Sequence, residues 1–430
     1  MRRVPYWLTA AVLCASQTAL AQEPSVMLSS PGLHGYVREV LDKNTGLDAA
    51  GSRLAASIER IGPAGALPNP IVTTGLIAVP APSFDFTAER MTRVPIGIRQ
   101  YFPFPGKQSA AADVARADSA VSGSILNATQ AGLVESAVAA FYHYAYASTA
   151  LDVWTARVDL AEQATRLARS RYETGAVPQT DFLRAQLRRA QLEEERRHLE
   201  GLLASAEAQL DALRGGSADP VSAFPLLLPT GGVAVDVSVD SLAPDTALAR
   251  RLAVASPALL VAQAQVERAD RSARVHAIAA RPDFVVGLES GFRFGGNEPL
   301  VTALVGVSVP LWSSRNQAPA ARAAVSDAEA ASQHYHDVLT RLQGDLRSTV
   351  AELNALQDRI AQADNEIIPL ASAASTSALQ QYAVGTVQFT TVLDAQDDLF
   401  RAQLSLARLL VDYAGRRARL ATLIGEEWYR

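Results

Sequence analysis

The chain has 430 residues, enough for two or three ordinary domains. It carries 39 lysines and arginines against 44 aspartates and glutamates, and a net charge of -5 argues against nucleic acid as a partner. Because Cys14 is its single cysteine, no disulfide framework is possible within the chain.

The first 21 residues have the pattern of a secretory signal peptide. Two arginines precede an apolar stretch at 4–13, and Ala-Leu-Ala at 19–21 provides the small residues at which a signal peptidase cuts. We therefore expect residues 1–21 to be removed on export, and Cys14 with them. Lipidation of Cys14 is the less favoured alternative, because a leucine rather than a small residue precedes it.

No later segment of the sequence resembles a membrane-spanning helix. The most apolar stretch, residues 136–151, is shorter than the roughly 20 residues that such a helix needs, and it contains His143. If the mature chain enters lipid, we expect a β-barrel, because all backbone polar groups must then be paired.

The mature chain contains an internal repeat. Residues 171–186 align with 381–396 at an offset of 210, so that a tyrosine, a glycine and a Leu-x-Ala-Gln sequence coincide. Residues 69–76 align with 281–288 at an offset of 212. The two halves are therefore predicted to be copies of one unit. The predicted divisions are a signal peptide at 1–21, a first repeat at 22–215, a linker at 216–247 and a second repeat at 248–430.

Each repeat is predicted to contain a helix, two strands, a long helix, a tight turn and a second long helix. Residues 108–177 lack proline and are rich in alanine, leucine and charged residues, as in an extended helix or coiled coil. The second copy resembles it from Ala320, with a kink expected at Pro369. The returning helices carry heptad seams. These seams are Leu192, Leu199, Leu203, Ala206, Leu210 and Leu213, then Leu399, Ala402, Leu406, Leu409, Tyr413, Leu420 and Leu423.

Alternating apolar residues predict the strands. The pattern is clearest at 284–292 and 301–309, and weaker at 73–79 and 94–102. The clearer pair approaches the 9 to 11 residues that a tilted membrane strand needs. Four strands cannot close a barrel alone, so the chain is expected to assemble with copies of itself.

The repeated motifs resemble the TolC-like outer-membrane efflux proteins over nearly the whole mature chain. The resemblance rests on Tyr-x-x-Gly and Leu-x-Ala-Gln at both turns, on the strand exit Gln-Tyr-Phe-Pro-Phe-Pro-Gly-Lys-Gln at 100–108 and on its counterpart at 307–317. Within the family, Leu-Pro-Asn-Pro at 67–70 and the Phe-Pro-Gly-Lys exit are most similar to outer-membrane components of heavy-metal cation efflux, of the copper-silver or cobalt-zinc-cadmium type.

The resemblance implies a mostly α fold with a β-barrel part. It implies a homotrimer that forms a twelve-stranded barrel in outer-membrane lipid and a long antiparallel coiled-coil α-helical barrel in the periplasm. The implied function is a passive exit duct, not an enzyme, with a periplasmic adaptor protein and an inner-membrane pump of the RND type as partners. It implies no cofactor.

The resemblance also suggests site residues. In the family, polar links near the second turn close the periplasmic end, and acidic residues ring the pore there. Asp394 matches one acidic position, and Asp397, Asp181 and Arg184 are the other candidates for a gate cluster. The offset of 210 places Arg184 opposite Asp394, which suggests an ion pair, either within one chain or across a subunit boundary. The alternative is a solvated helix surface without a gating role.

Two glycines and two tyrosines mark the turns at which an adaptor is expected to dock. Gly175 and Gly385 are predicted to adopt the left-handed conformation that ends a long helix. Tyr172 and Tyr382 are interpreted either as hydrogen-bonding residues or as packing residues of the helix seam.

The six histidines do not predict a metal site. His334 and His336 are two residues apart on a predicted helix and should point to different faces. Other functions considered are a duct for drug efflux or type I protein secretion, a periplasmic coiled-coil structural protein, and an exported hydrolase. No catalytic constellation supports the hydrolase.

Overall fold

The computed structural model describes residues 31–79, 85–87, 89, 91–175, 178–216, 245–293, 298–384 and 386–428. The predicted signal peptide and nearly all of the predicted linker lie outside these residues. The helices are α1 (Pro31–Lys43), α2 (Thr45–Glu59), α3 (Ile61–Gly65), α4 (Lys107–Glu173), α5 (Gln179–Leu213), α6 (Asp245–Ala255), α7 (Pro257–Ile278), α8 (Gln317–Gln362), α9 (Ile368–Ala383) and α10 (Phe389–Ile424). The strands are β1 (Ile71–Thr74), β2 (Arg93–Phe102), β3 (Asp283–Arg293) and β4 (Leu300–Ser308).

The predicted order of elements occurs twice. Short helices precede two strands, a long helix and a returning helix in both halves. Helix α4 has 67 residues, which corresponds to about 100 Å at 1.5 Å per residue. Helices α8 and α9 together cover 317–383, and these bounds are those of α4 shifted by 210 residues.

Pro369 does not end its helix. A π turn at Ala363–Ile367 joins α8 to α9, and the Ile368 N–H donates to the carbonyl of Ala363, five residues back. A proline lacks the N–H of a regular turn, and its ring crowds the preceding carbonyls. The wider π turn therefore accommodates Pro369 while the helix continues.

The four strands form one antiparallel sheet in the order β1-β2-β3-β4. The register pairs Phe102 with Phe284 and Phe284 with Val307, so alternate residues share a face. One face is apolar and exposed, and it carries Val72, Ile96, Ile98, Phe102, Phe284, Val286, Leu288, Phe292, Val301, Val305 and Val307. On the other face Arg93 and Glu289 form an ion pair at 3.7 Å. The predicted alternation of apolar with small or polar residues is confirmed.

The first strand differs from its predicted position. Regular pairing covers Ile71–Thr74 rather than 73–79, and a single bridge joins Ile77 to Arg93. The chain then turns away at Ala78, which has a positive φ of 56°. An L-residue in this conformation is incompatible with a continuing strand. Strand β1 is therefore a short edge, whereas β2, β3 and β4 begin and end within one residue of their predicted bounds.

The long helices form a layer in the order α5, α4, α10 and then α8 with α9. The predicted heptad seams face this layer, since Leu192, Leu210, Leu406 and Leu420 are buried. Among the described residues, no helix has the length and apolar character required to cross a membrane.

The α1 helix is held against the end of α5 by a charged cluster. Arg214 is only 2% exposed and binds Glu39 at 3.2 Å and also Asp211. The hydrogen bond from Lys43, with Arg214 as a further partner, lowers the pKa of Glu39. The Tyr36 hydroxyl donates to the carbonyl of Leu210 at 3.2 Å, and burial raises the pKa of Tyr36. These contacts hold the C-terminal end of α5 against α1.

The end of α10 makes a close backbone approach to the α6–α7 junction. Gly425 has φ +65°, and a Cβ there would lie 2.2 Å from the carbonyl oxygen of Ala255. Only glycine therefore fits this position without displacement of the backbone.

Candidate functional site

The turn between α4 and α5 forms the first helical tip. Gly175 has φ +73°, as predicted, and its N–H donates to the carbonyl of Tyr172 at 2.9 Å. The Tyr172 and Phe182 rings stack across the turn, with centroids 6.1 Å apart and planes at 6°. Tyr172 is nevertheless 40% exposed. At this tip the two helices are joined by aromatic stacking, and part of the Tyr172 ring remains accessible to solvent.

The second tip joins α9 to α10. The N–H of Thr386 and its hydroxyl both donate to the carbonyl of Gln381, at 3.0 and 2.8 Å. Val384 is 76% exposed beside them. Gly385 and the Tyr382 side chain lie outside the described parts of the chain, so their sequence-based predictions stay predictions.

The four candidate gate residues line one groove. A cavity of about 350 Å³ between the first tip and α10 is lined by Asp181, Arg184, Asp394 and Asp397. The first three are exposed. Three further arginines, Arg171, Arg188 and Arg401, line the same groove. The residues selected from two separate stretches of sequence therefore meet in a strongly charged cleft.

Asp397 occupies the inner end of this groove. Its carboxylate forms ion pairs with Arg157 of α4 and Arg188 of α5, and only 16% of its side chain is exposed. Arg157 is 4% exposed, and its guanidinium lies 4.2 Å from the Trp154 ring centroid and 4.9 Å from that of Phe400. A cation between two aromatic faces and a carboxylate is well compensated. Asp397 therefore links three long helices at one point.

The ion pair predicted between Arg184 and Asp394 is not formed within the described part of one chain. Both side chains are exposed on the groove, and the nearby carboxylate that engages arginine is Asp397. An alignment offset identifies equivalent positions in two copies, and equivalent positions need not be neighbours in one chain. An Arg184–Asp394 ion pair across a subunit boundary stays a prediction. The partner Arg157 was missed. Its signal was an arginine seven residues from both Ala150 and Ala164 in a buried alanine stripe.

No group of three or more metal-ligating side chains occurs among the residues that the structure describes. His334 and His336 are both exposed on α8.

Comparison with known proteins identifies relatives along the whole described chain. Residues 36–216 and 248–426 match the family model for the outer membrane efflux protein. A cobalt-zinc-cadmium resistance protein, CzcC of Cupriavidus metallidurans, is 23% identical over 364 residues, which are 84% of this chain and 82% of that protein.

Two solved outer-membrane channel structures share the fold. The OprN channel superposes with a TM-score of 0.77 at 18% identity and covers 99% of both chains. The channel CusC superposes with a TM-score of 0.77 at 16% identity and covers 98% of this chain and 99% of its own.

Proposed function

Because the chain belongs to the outer membrane efflux protein family, we propose that three copies form a continuous passive duct. The duct would cross the outer membrane as a twelve-stranded β-barrel and extend through the periplasm as an α-helical barrel. The family is one of efflux proteins, and its location is the outer membrane. The trimer, the partners and the cargo are proposals.

One observation carries the proposal: an open four-stranded sheet with an apolar exposed face continues into helices of about 100 Å. A sheet edge left in lipid would have unpaired N–H and C=O groups, which cost several kcal/mol each. Strands β1 and β4 are the two edges, and all neighbouring strands are antiparallel. An even number of such strands per chain lets β4 of one copy pair antiparallel with β1 of the next.

We propose that the groove with Asp181, Arg184, Asp394 and Asp397 forms part of the periplasmic gate. Its support is the meeting of carboxylates and arginines from two separate turns in one cleft. Charges at a constriction can be rearranged by a small helix shift, since exposed ion pairs contribute only about 0 to 1 kcal/mol each.

The tips are the proposed docking sites for a periplasmic adaptor that couples the duct to an inner-membrane RND pump. Tyr172 and Gly175 form the first tip, and Tyr382 and Gly385 are their counterparts at the second. The exposed edge of Tyr172 and the exposed Val384 offer contact area where a helical hairpin could pack.

For the cargo we propose heavy-metal cations. The similarity to CzcC over 84% of the chain favours this class. Drug efflux is the second candidate. Deletion of the gene should sensitise cells to cobalt, zinc or cadmium salts but not to hydrophobic antibiotics, and the opposite pattern would reject the metal assignment.

The duct itself is tested in outer-membrane fractions and planar bilayers. We expect heat-sensitive, SDS-resistant trimers and a small single-channel conductance in the closed state. Asp394→Arg adds a cation beside Arg184, Arg188 and Arg401, so repulsion should raise the conductance and sensitise cells to vancomycin. Ser377→Arg on α9 is the control for an added charge elsewhere. A conductance unchanged by Asp394→Arg would exclude this residue from the gate.

A further inference from the structure

The helix layer of one chain is open at two edges. Helix α4 contacts α5 and α10, and α10 contacts α8 and α9, whereas the described residues of α5 make no comparable contact with α8 or α9. Among the described helices, no further long helix packs on the outer side of α5 or of the α8–α9 rod, and the shorter helix α7 is a further neighbour of α8. The first edge belongs to the first repeat and the second edge to the second repeat.

The contact between α4 and α10 shows how the two repeats pack against each other. Arg157 pairs with Asp397, and Glu135 pairs with Arg419 at 3.5 Å. The two pairs are 22 residues apart on both helices, in opposite directions, so the antiparallel register is constant along this seam. The seam joins the outgoing helix of repeat one to the returning helix of repeat two.

The internal repeat relates the residues of this seam to equivalent residues at the two open edges. Shifting α4 forward and α10 back by 210 residues gives the α8–α9 rod and α5, the helices at the two open edges of the described layer. Arg157 becomes Ile367, and Asp397 becomes Leu187. The neighbouring pair Leu160 and Leu393, which lines the cavity beside Asp397, becomes Leu370 and Leu183.

The transferred positions are all large, apolar and solvent-exposed in the single chain. The exposed fractions are 60% for Leu187, 52% for Leu183, 45% for Ile367 and 64% for Leu370. Exposed aliphatic side chains clustered at positions that are equivalent to a helix–helix seam within the chain indicate a surface that a partner covers.

The same register also matches charges. It places exposed Arg197 of α5 within one residue of exposed Asp358 of α8, and exposed Glu194 within one residue of exposed Arg359. Opposite charges would thus face each other across the two helices, next to the apolar contact and further from the tips.

We infer that Leu183 and Leu187 of one copy dock on Ile367 and Leu370 of a second copy, in the register of the α4–α10 seam. An apolar contact between subunits thereby takes the place of the Arg157–Asp397 ion pair within the subunit. This inference rests on the proposed trimer and adds its helical interface. The open edges of the sheet agree with it, because β1 belongs to the first repeat and β4 to the second.

The test is disulfide cross-linking in outer membranes. Leu187→Cys with Ile367→Cys, in a Cys14→Ala background, should oxidise to covalent dimers and trimers that survive boiling in SDS and revert with reductant. A disulfide requires Cα atoms within about 7 Å. The control pairs Leu187→Cys with Leu379→Cys, an equally exposed position 12 residues further along α9, about 18 Å away. It should yield at least about tenfold less cross-linked species.

A second pair of variants introduces the Arg157–Asp397 ion pair at the equivalent positions, 367 and 187. Leu187→Asp should lower the temperature at which SDS-resistant trimers dissociate, and adding Ile367→Arg should restore most of that shift. If trimers form but neither cross-linking nor the charge exchange follows this register, the seam is wrong while the proposed duct stands. If the wild-type chain forms no trimers at all, both fail.

Discussion

Removal of the Asp397 carboxylate should destabilise the middle of the helical layer more than any other single charge change near the groove. Leucine at this position leaves Arg157, at 4% exposure, buried without a carboxylate. Loss of one partner from a buried ion pair typically costs about 3 to 5 kcal/mol, because the remaining charge stays desolvated. Arg188, at 29% exposure, can turn its charge toward water.

The measurement is urea unfolding of the detergent-solubilised protein, followed by far-UV circular dichroism and by tryptophan fluorescence. With an m value of about 2 to 3 kcal/mol per M, the midpoint should fall by about 1 to 2.5 M for Asp397→Leu. Trp154 reports locally, since its ring lies against the Arg157 guanidinium.

Two controls separate the buried charge from a general effect. Asp394→Leu, three residues away and exposed, should change stability by no more than about 0.5 kcal/mol. Adding Arg157→Met to Asp397→Leu should recover most of the loss, because no buried cation then lacks a partner. A loss below about 1 kcal/mol for Asp397→Leu, or no recovery in the double variant, would refute the reasoning.

Three further changes test other parts of the structure. Gly175→Ala and Gly425→Ala both place an L-residue at positive φ, at a cost of about 1 to 2 kcal/mol, but only the second also meets a carbonyl at 2.2 Å. Gly425→Ala should therefore lower the melting temperature clearly more, and equal effects would contradict the close approach. Val305→Arg, on the apolar face, should cost about 2 to 4 kcal/mol near the bilayer centre and reduce trimer yield in outer membranes. Thr302→Arg, on the opposite face, should assemble normally, and a similar yield for both variants would reject the assigned faces. The lowered pKa of Glu39 means that its lysine and arginine contacts stabilise the fold above the ordinary glutamate pKa of about 4.3 and are lost as pH falls below it. Glu39→Gln should therefore reduce the fall in melting temperature that acid causes, by an amount equivalent to less than about 1 kcal/mol in the free energy of unfolding. If the melting temperature falls equally in both proteins, other groups cause the acid loss.

The sequence by itself determined the elements and their duplication. Helical and strand periodicities are local properties, so a proline-free run of 70 residues and four alternating stretches were sufficient to predict α4 and the sheet faces. The offset of 210 likewise follows from residue identities alone. The conformation of Gly175 was predictable because a tight turn after a long helix requires a positive φ.

Tertiary structure alone decided which charges meet. Asp397 and Arg157 are 240 residues apart, and no periodicity relates an α10 carboxylate to an α4 guanidinium. Sequence equivalence relates Arg184 to Asp394, but it does not make them neighbours within one chain. Antiparallel packing brings together positions at the same level along two helices, and these need not be equivalent positions in the repeat. The same packing decides which aliphatic side chains remain exposed, because Leu187 and Ile367 lie on helix faces that the described part of the single chain leaves uncovered.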